Sequence, residues 1–173
     1  MKIVRGSTRV VLLFGSFVLK FPRINSLLGI IKEIPKLVFQ GRWKFIPNIT
    51  SRRLHWFQKG IRQNVTERRC WKSCHAPFLV PTYLSLGFIN IQKREIGNEL
   101  NWEEMNVLIN KMGDVTKNQV YTIDPHCFSP KNFLKNASGY RVFDYGDSSS
   151  QPLRFTEYIL RWHKELSEIL RVG

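Results

Sequence analysis

The chain has 173 residues, 43% hydrophobic and 13% aromatic, which is material for one folded domain with a sizeable core and excludes wholesale disorder. Its 27 Lys and Arg against 13 Asp and Glu leave a net charge of +14, so its partners are expected among polyanions. Three cysteines, an odd number, argue against a disulfide framework and for a reducing, cytoplasmic setting.

The charge excess sits entirely in residues 1–75, where 16 basic residues meet only Glu33 and Glu67; residues 76–173 carry 11 of each sign. A basic half-molecule suits nucleic acid, an acidic protein or an anionic membrane face, beside the plain reading of a solvated surface. The first residues imitate a signal peptide, with basic residues up to Arg9 and then the run VVLLFGSFVL. That run stops at Lys20 with no small-residue cleavage pattern and is half of the ~20 residues a bilayer crossing needs. No transmembrane segment is expected. Read as structure, residues 2–4, 10–14 and 17–21 are three short strands, joined by a Gly6-Ser7-Thr8 turn and a Gly15-Ser16 hairpin loop. Period two puts Phe17, Leu19 and Phe21 on one face and Val18 with Lys20 on the other, so Lys20 is a charge in an apolar strand.

Residues 23–60 form a basic insertion. Its first part has apolar residues at helical spacing until Pro35 interrupts it. Its second part interleaves Trp43, Phe45, Trp56 and Phe57 with Arg and Lys, a mixture that serves either as core or as a stacking surface for single-stranded nucleic acid. Residues 61–74 follow as a helix, with Ile61, Val65, Arg68 and Trp71 at three- and four-residue intervals and Glu67 as its one acid. Cys70, Cys74 and His75, with His126 and Cys127, invite a zinc reading, but no Cys-x-x-Cys knuckle is present and buried thiols are the commoner outcome. Residues 83–96 read as two strands meeting near Gly87, residues 102–112 as a helix, and residues 118–123 as a strand.

The densest chemistry lies between Asp124 and Asp147, in DPHCFSPKNFLKNASGYRVFDYGD. Phe133 and Leu134 open a strand, Asn136-Ala137-Ser138-Gly139 is turn chemistry, and Tyr140, Val142 and Phe143 return before Asp144-Tyr145-Gly146. Carboxylates and an amide oxygen brought together in this way suit Mg²⁺, which takes few protein oxygens and keeps several waters. Beyond Asp147 a Ser-rich link leads to a last helix with Phe155, Ile159, Trp162, Leu166, Ile169 and Leu170 on one stripe.

The order of these features resembles the protein-kinase-like phosphotransferases, in which a loop Asn and an Asp-aromatic-Gly triplet hold the metal ions; the matching positions are Asn132 and Asp144, with Tyr145 and Gly146. The resemblance implies an α+β, minimal two-lobed fold. Residues 1–96 would be an N-lobe-like part, a small antiparallel sheet plus one helix with the insertion at 23–60, and residues 97–173 a reduced, mostly helical C-lobe-like part, together a single compact domain. It also implies ATP and Mg²⁺ as cofactors. Lys20 would reach the phosphates beneath a turn that keeps only Gly6 of a glycine-rich loop, Glu67 would pair with Lys20, Glu95 and Ile96 would lie in the hinge beside adenine, and Asn132 and Asp144 would hold the metal. The family's catalytic base lies five positions before the Asn, where this chain has Cys127. Asp124, eight before it in an Asp-Pro-His triplet similar to the Asp-Arg-His of phosphoinositide kinases, is the candidate base. With 26 residues after Asp147, no room remains for a long activation segment or peptide-docking helices. Three functions follow as expectations: an ATP-dependent phosphotransferase, an inactive pseudokinase that binds a partner through its basic part, or a basic α+β module for nucleic acid.

Overall fold

A computed structural model describes residues 2–6, 8–23, 25–123, 125–146 and 154–171. The chain opens with β1 (Lys2–Arg5), β2 (Arg9–Phe14) and β3 (Phe17–Pro22). Gly15, at φ +53°, makes the two-residue turn between β2 and β3 without strain. That turn sets the register, with Phe14 opposite Phe17 and Val11 opposite Lys20. β4 (Thr82–Ser85) and β5 (Asn90–Lys93) turn about Gly87, at φ +77°, and complete a five-stranded antiparallel sheet in the order β1-β2-β3-β5-β4. The expected α+β class and small antiparallel sheet are both present.

Two helices, rather than the expected one, link β3 to β4: α1 (Asn25–Phe39) and α2 (Ile46–Cys74). Pro35 lies inside α1 instead of ending it. It sits on the exposed side of the helix, as does Ile31, so the carbonyl that loses its partner at Pro35 belongs to the solvent-facing side, where such a loss costs least. α2 runs 29 residues, twice the expected span, and starts with Pro47 in its first turn, where a missing N–H does no harm. Its buried line is Gly60, Asn64, Glu67 and Cys70, whereas Val65 is exposed. The apolar spacing had pointed to the wrong face, because the sheet that receives this helix presents charge.

The second half carries β6 (Asn98–Glu99), α3 (Trp102–Val115), β7 (Phe133–Asn136), β8 (Gly139–Val142) and α4 (Phe155–Ile169), with the three strands pairing β6-β7-β8. Asn101 caps α3 by accepting from the Glu104 N–H at 2.8 Å, while the Asn101 N–H donates to the Glu104 carboxylate at 3.0 Å. The expected strand at 118–123 is a 3₁₀ turn over Gln119–Thr122. Asn118 enters it in the left-handed region, and Val120 and Ile123, three apart, both face the core. The β7–β8 turn is Ala137-Ser138, with Asn136 Oδ1 accepting from the Ser138 N–H at 3.0 Å.

These elements surround the apolar core. Phe133, Phe155, Tyr158, Met105, Leu108 and Leu166 are all buried there, and Phe128 packs edge-on against Phe155 at 5.2 Å. The stripe read for the last helix holds at Phe155, Ile159, Leu166 and Leu170, and Tyr158 joins it. Residues 78–80 join the halves: the Val80 N–H donates to the Val142 carbonyl at 2.9 Å and the Val142 N–H to the Phe78 carbonyl at 2.8 Å.

Candidate functional site

The β2–β3 register decides what lies beneath the sheet. Lys20 stands opposite Val11 on one side and Asn90 on the other, and Gln92 stands opposite Val18 and Thr82. Arg9, two residues before Val11, therefore shares the face of Lys20, Asn90, Gln92 and Thr82, and all five side chains are buried. Across from them, Glu67 on α2 is fully enclosed. Lys20 Nζ donates to both Glu67 oxygens at 3.0 Å, Arg9 Nη1 lies 2.8 Å from Oε1, and the Asn90 and Gln92 amides donate to Oε2 at 2.6 and 3.2 Å. A carboxylate withdrawn from water needs such a shell of donors, since an unpaired buried charge is prohibitively expensive. The expected Lys20–Glu67 pair is thus found, within a larger network.

Arg9 turns its other amine to Asp144, with which it forms an ion pair, while its Nη1 also donates to Asn64 Oδ1 at 3.1 Å. Lys20 Nζ makes a third bond, to the Phe143 carbonyl at 2.7 Å. The ammonium is therefore fixed between α2 and the residue that precedes Asp144. Its two neighbours explain why that triplet lies where it does. The Tyr145 hydroxyl donates to the Val80 carbonyl at 2.9 Å and sits 2.9 Å from Thr82 Oγ1. A Cβ at Gly146 would come 2.5 Å from the Gln63 carbonyl oxygen and 2.8 Å from Glu67 Cγ. Only glycine lets the chain pass that close to α2.

The β7–β8 pairing ties the Asn132 backbone to the residue before Asp144: Phe133 faces Val142, and the Phe143 N–H donates to the Asn132 carbonyl at 3.1 Å. The Asn132 amide group donates to the Cys127 carbonyl at 3.3 Å, bracing the preceding loop and leaving its Oδ1 as an acceptor. Asp124, the candidate base, lies outside the described residues. Gly6 sits in the β1–β2 turn, but its N–H already donates to the Arg9 carbonyl at 2.8 Å, so the turn is braced by the group expected to meet a phosphate. In the connection after β5, Ile96 is 80% exposed, Glu95 pairs with Lys93 at 2.9 Å, and Gly97 presses on the β7 backbone, where a Cβ would meet the Lys135 carbonyl oxygen at 2.6 Å. Neither of these two hinge candidates supplies a hydrogen bond or ion pair given above for the ion cluster.

Burial pulls the Lys20 pKa below its ordinary value, with the nearby Arg9 charge acting in the same direction and Glu67 opposing both. Burial also opposes the charges on Arg9 and Asp144, but each is overridden by its partners. Asp144 and Glu67 hold the Arg9 pKa above its usual value, and Arg9 with Lys20 hold Asp144 below the carboxylate range. Asp144 keeps 42% of its side-chain surface open, so it is the member of the cluster that solvent, or a ligand, reaches. Among the described residues no three His, Cys, Asp or Glu side chains converge as a metal set, and Cys70, Cys74 and His75 gain no further ligand. Asp144 offers one partly open carboxylate, which would suit Mg²⁺ only in its hydrated form, with water and phosphate oxygens supplying most positions.

Of the site residues named from the sequence, Lys20, Glu67 and Asp144 come together in this cluster while the Asn132 side chain bonds the preceding loop; Arg9, Asn64, Asn90 and Gln92 were not named. Arg9 was legible once the Gly15-Ser16 loop fixed the register, because it falls two residues from the position opposite Lys20. Asn90 and Gln92 flank Ile91 in alternation, a polar face that only a buried charge explains. The chain matches no protein-family model, no curated protein and no solved structure, so no family is assigned to it.

Proposed function

We propose that this chain is a small kinase-like protein that binds an ATP–Mg²⁺ complex beside Lys20 and Asp144 and passes the terminal phosphate to an acceptor hydroxyl. The observation that carries this reading is the position of the Lys20 ammonium, held by both oxygens of Glu67 and by the Phe143 carbonyl, one residue from a carboxylate that remains partly open. The ammonium is buried with its three donors taken, so a phosphate oxygen reaches it by displacing the Phe143 carbonyl, and positioning with charge neutralisation is most of what phosphoryl transfer asks of a protein. In this reading Asp144 and Asn132 hold the ion, which neutralises charge on the phosphates when bound, and Asp124 accepts the hydroxyl proton.

Calorimetric titration with ATP in excess Mg²⁺ tests the site. Binding should weaken at least ~10-fold in Lys20→Met and in Asp144→Asn, in line with the loss of one charge-assisted contact. Equal affinity in all three proteins would remove the site from the reading. Transfer of labelled phosphate that survives Asp124→Ala would remove Asp124 from the mechanism.

The Arg9–Asp144 pair favours a second reading, an inactive relative of the same fold. A resident guanidinium already neutralises the metal-ligand candidate, and Cys127 stands where the family's base is expected. Nucleotide binding that is indifferent to Mg²⁺ and gives no turnover would select this alternative.

A further inference from the structure

The part of the chain that the nucleotide reading leaves without a role is the hairpin of α1 and the outer half of α2. Between Leu28 and Lys59 no residue is buried. Of the four aromatics read as core candidates three stand open, Trp43 at 59% exposed, Phe45 at 50% and Trp56 at 37%, and Phe57 is half-buried. No third layer covers them among the described residues, because the sheet takes up only the inner half of α2. Exposure on α1 follows a helical stripe of Leu28, Ile31, Pro35 and Phe39, flanked by exposed Lys32 and Lys36. Phe39 reaches 94% exposure and Ile31 67%. The opposite side of α1 packs on α2, where Gly29 lies against the Arg53 side chain and Glu33 pairs with Arg53.

Charge on this hairpin is of one sign. Residues 28–59 contain seven Lys and Arg and a single acid, Glu33, which the Arg53 contact neutralises. Such a surface repels a second copy of itself. We infer that the α1–α2 hairpin docks on an anionic phospholipid surface, with the Leu28–Phe39 stripe and Trp43 seated among acyl chains and the surrounding Lys and Arg at the headgroups. Membrane-surface helices of this kind combine an apolar face with basic flanks and interfacial aromatics. Single-stranded nucleic acid uses aromatic rings and cations as well, but has no use for exposed Leu28 and Ile31, which offer neither a stacking face nor a hydrogen bond. These two aliphatic side chains are what selects lipid. No helix among the described residues is long and apolar enough to cross a membrane, so the hairpin lies on the surface.

Flotation of the full chain with vesicles tests this. Vesicles of phosphatidylcholine with about one-third phosphatidylglycerol should carry the protein at low salt, and pure phosphatidylcholine vesicles should carry at least ~10-fold less, because about five-fold in affinity goes with each basic residue that meets the surface charge. Lys32→Gln with Lys36→Gln should weaken flotation by about 25-fold on the same basis. Ile31→Ser with Phe39→Ser should weaken it with the charge intact, and circular dichroism of each variant checks that the fold is retained. Three results would overturn the inference: no flotation with the anionic vesicles, flotation unchanged by Ile31→Ser/Phe39→Ser in a folded variant, or capture of a single-stranded oligonucleotide by protein that ignores the vesicles. The inference stands apart from the nucleotide reading, since none of these residues touches Lys20 or Asp144.

Discussion

Around α3, α4 and the β7–β8 hairpin the large buried side chains are Phe133, Phe155, Tyr158, Leu108, Met105 and Leu166, whereas beneath the five-stranded sheet they are Arg9, Lys20, Asn64, Glu67, Asn90 and Gln92. The first group stabilises the fold simply by leaving water, at about 25 cal/mol for each Å² of apolar surface removed. The second gains little net stability, because the desolvation of two cations and the Glu67 carboxylate consumes much of their mutual attraction. Among the described residues, and Pro22 apart, buried hydrophobic side chains begin in chain order at Cys70. Charges kept on the covered face of a sheet, where Val or Leu would hold it equally well, are the physical ground for the proposal that function lies there.

Substitution should separate the two regions sharply. Glu67→Gln keeps the shape of the side chain but leaves Arg9 and Lys20 facing no buried carboxylate, and it should destabilise by about 3–5 kcal/mol in urea unfolding. Leu108→Met, an equally conservative change in the apolar core, should cost less than about 1.5 kcal/mol. Similar losses from both would show that water reaches the ion cluster. Gly146→Ala should come next. Its new methyl meets the Gln63 carbonyl, so the chain must back away from α2 at a cost of about 1–3 kcal/mol, with nucleotide affinity falling alongside.

The strands of the five-stranded sheet were readable because their turns are marked by Gly15 and Gly87, and the last helix because its stripe is apolar. α2 was half read for a physical reason. Sequence patterns seek apolar faces, and its covered line, Gly60-Asn64-Glu67-Cys70, is mostly polar. The same logic hid Arg9, which looks like the basic flank of a targeting run until the hairpin register turns it inward. For the hairpin the pattern misled in the opposite sense: Trp43, Phe45 and Trp56 have core chemistry, yet none of the three is buried. The Lys20–Glu67 pair came from the order of features along the chain rather than from any local motif.

Smaller effects sharpen the comparison. Asp144 has its pKa held down in the folded state, after burial is overridden by Arg9 and Lys20, so its contribution is present above the ordinary carboxylate pKa of about 4 and is lost as pH falls through the folded value. The stability gap between the wild type and Asp144→Asn should therefore be full at pH 7 and close below about pH 4, which acid titration of the melting curve would check; a gap independent of pH would dissolve the Arg9–Asp144 pairing. Smallest of all, Ile31→Ser with Phe39→Ser should change thermal stability by no more than about 0.5 kcal/mol, since both side chains already stand in water. A larger loss would mean that the hairpin has packing that the structure does not show.

Thermal melting with and without ATP and excess Mg²⁺ reaches the main claim most directly, that the charges beneath the sheet form a site for a nucleotide. At ~100 times its dissociation constant the ligand should add about 2.7 kcal/mol, a rise of roughly 5–10 °C for a chain of this size, and Lys20→Met should show none of it. A wild type whose melting temperature does not move at millimolar nucleotide, or a Lys20→Met variant that rises as far as the wild type, would contradict it.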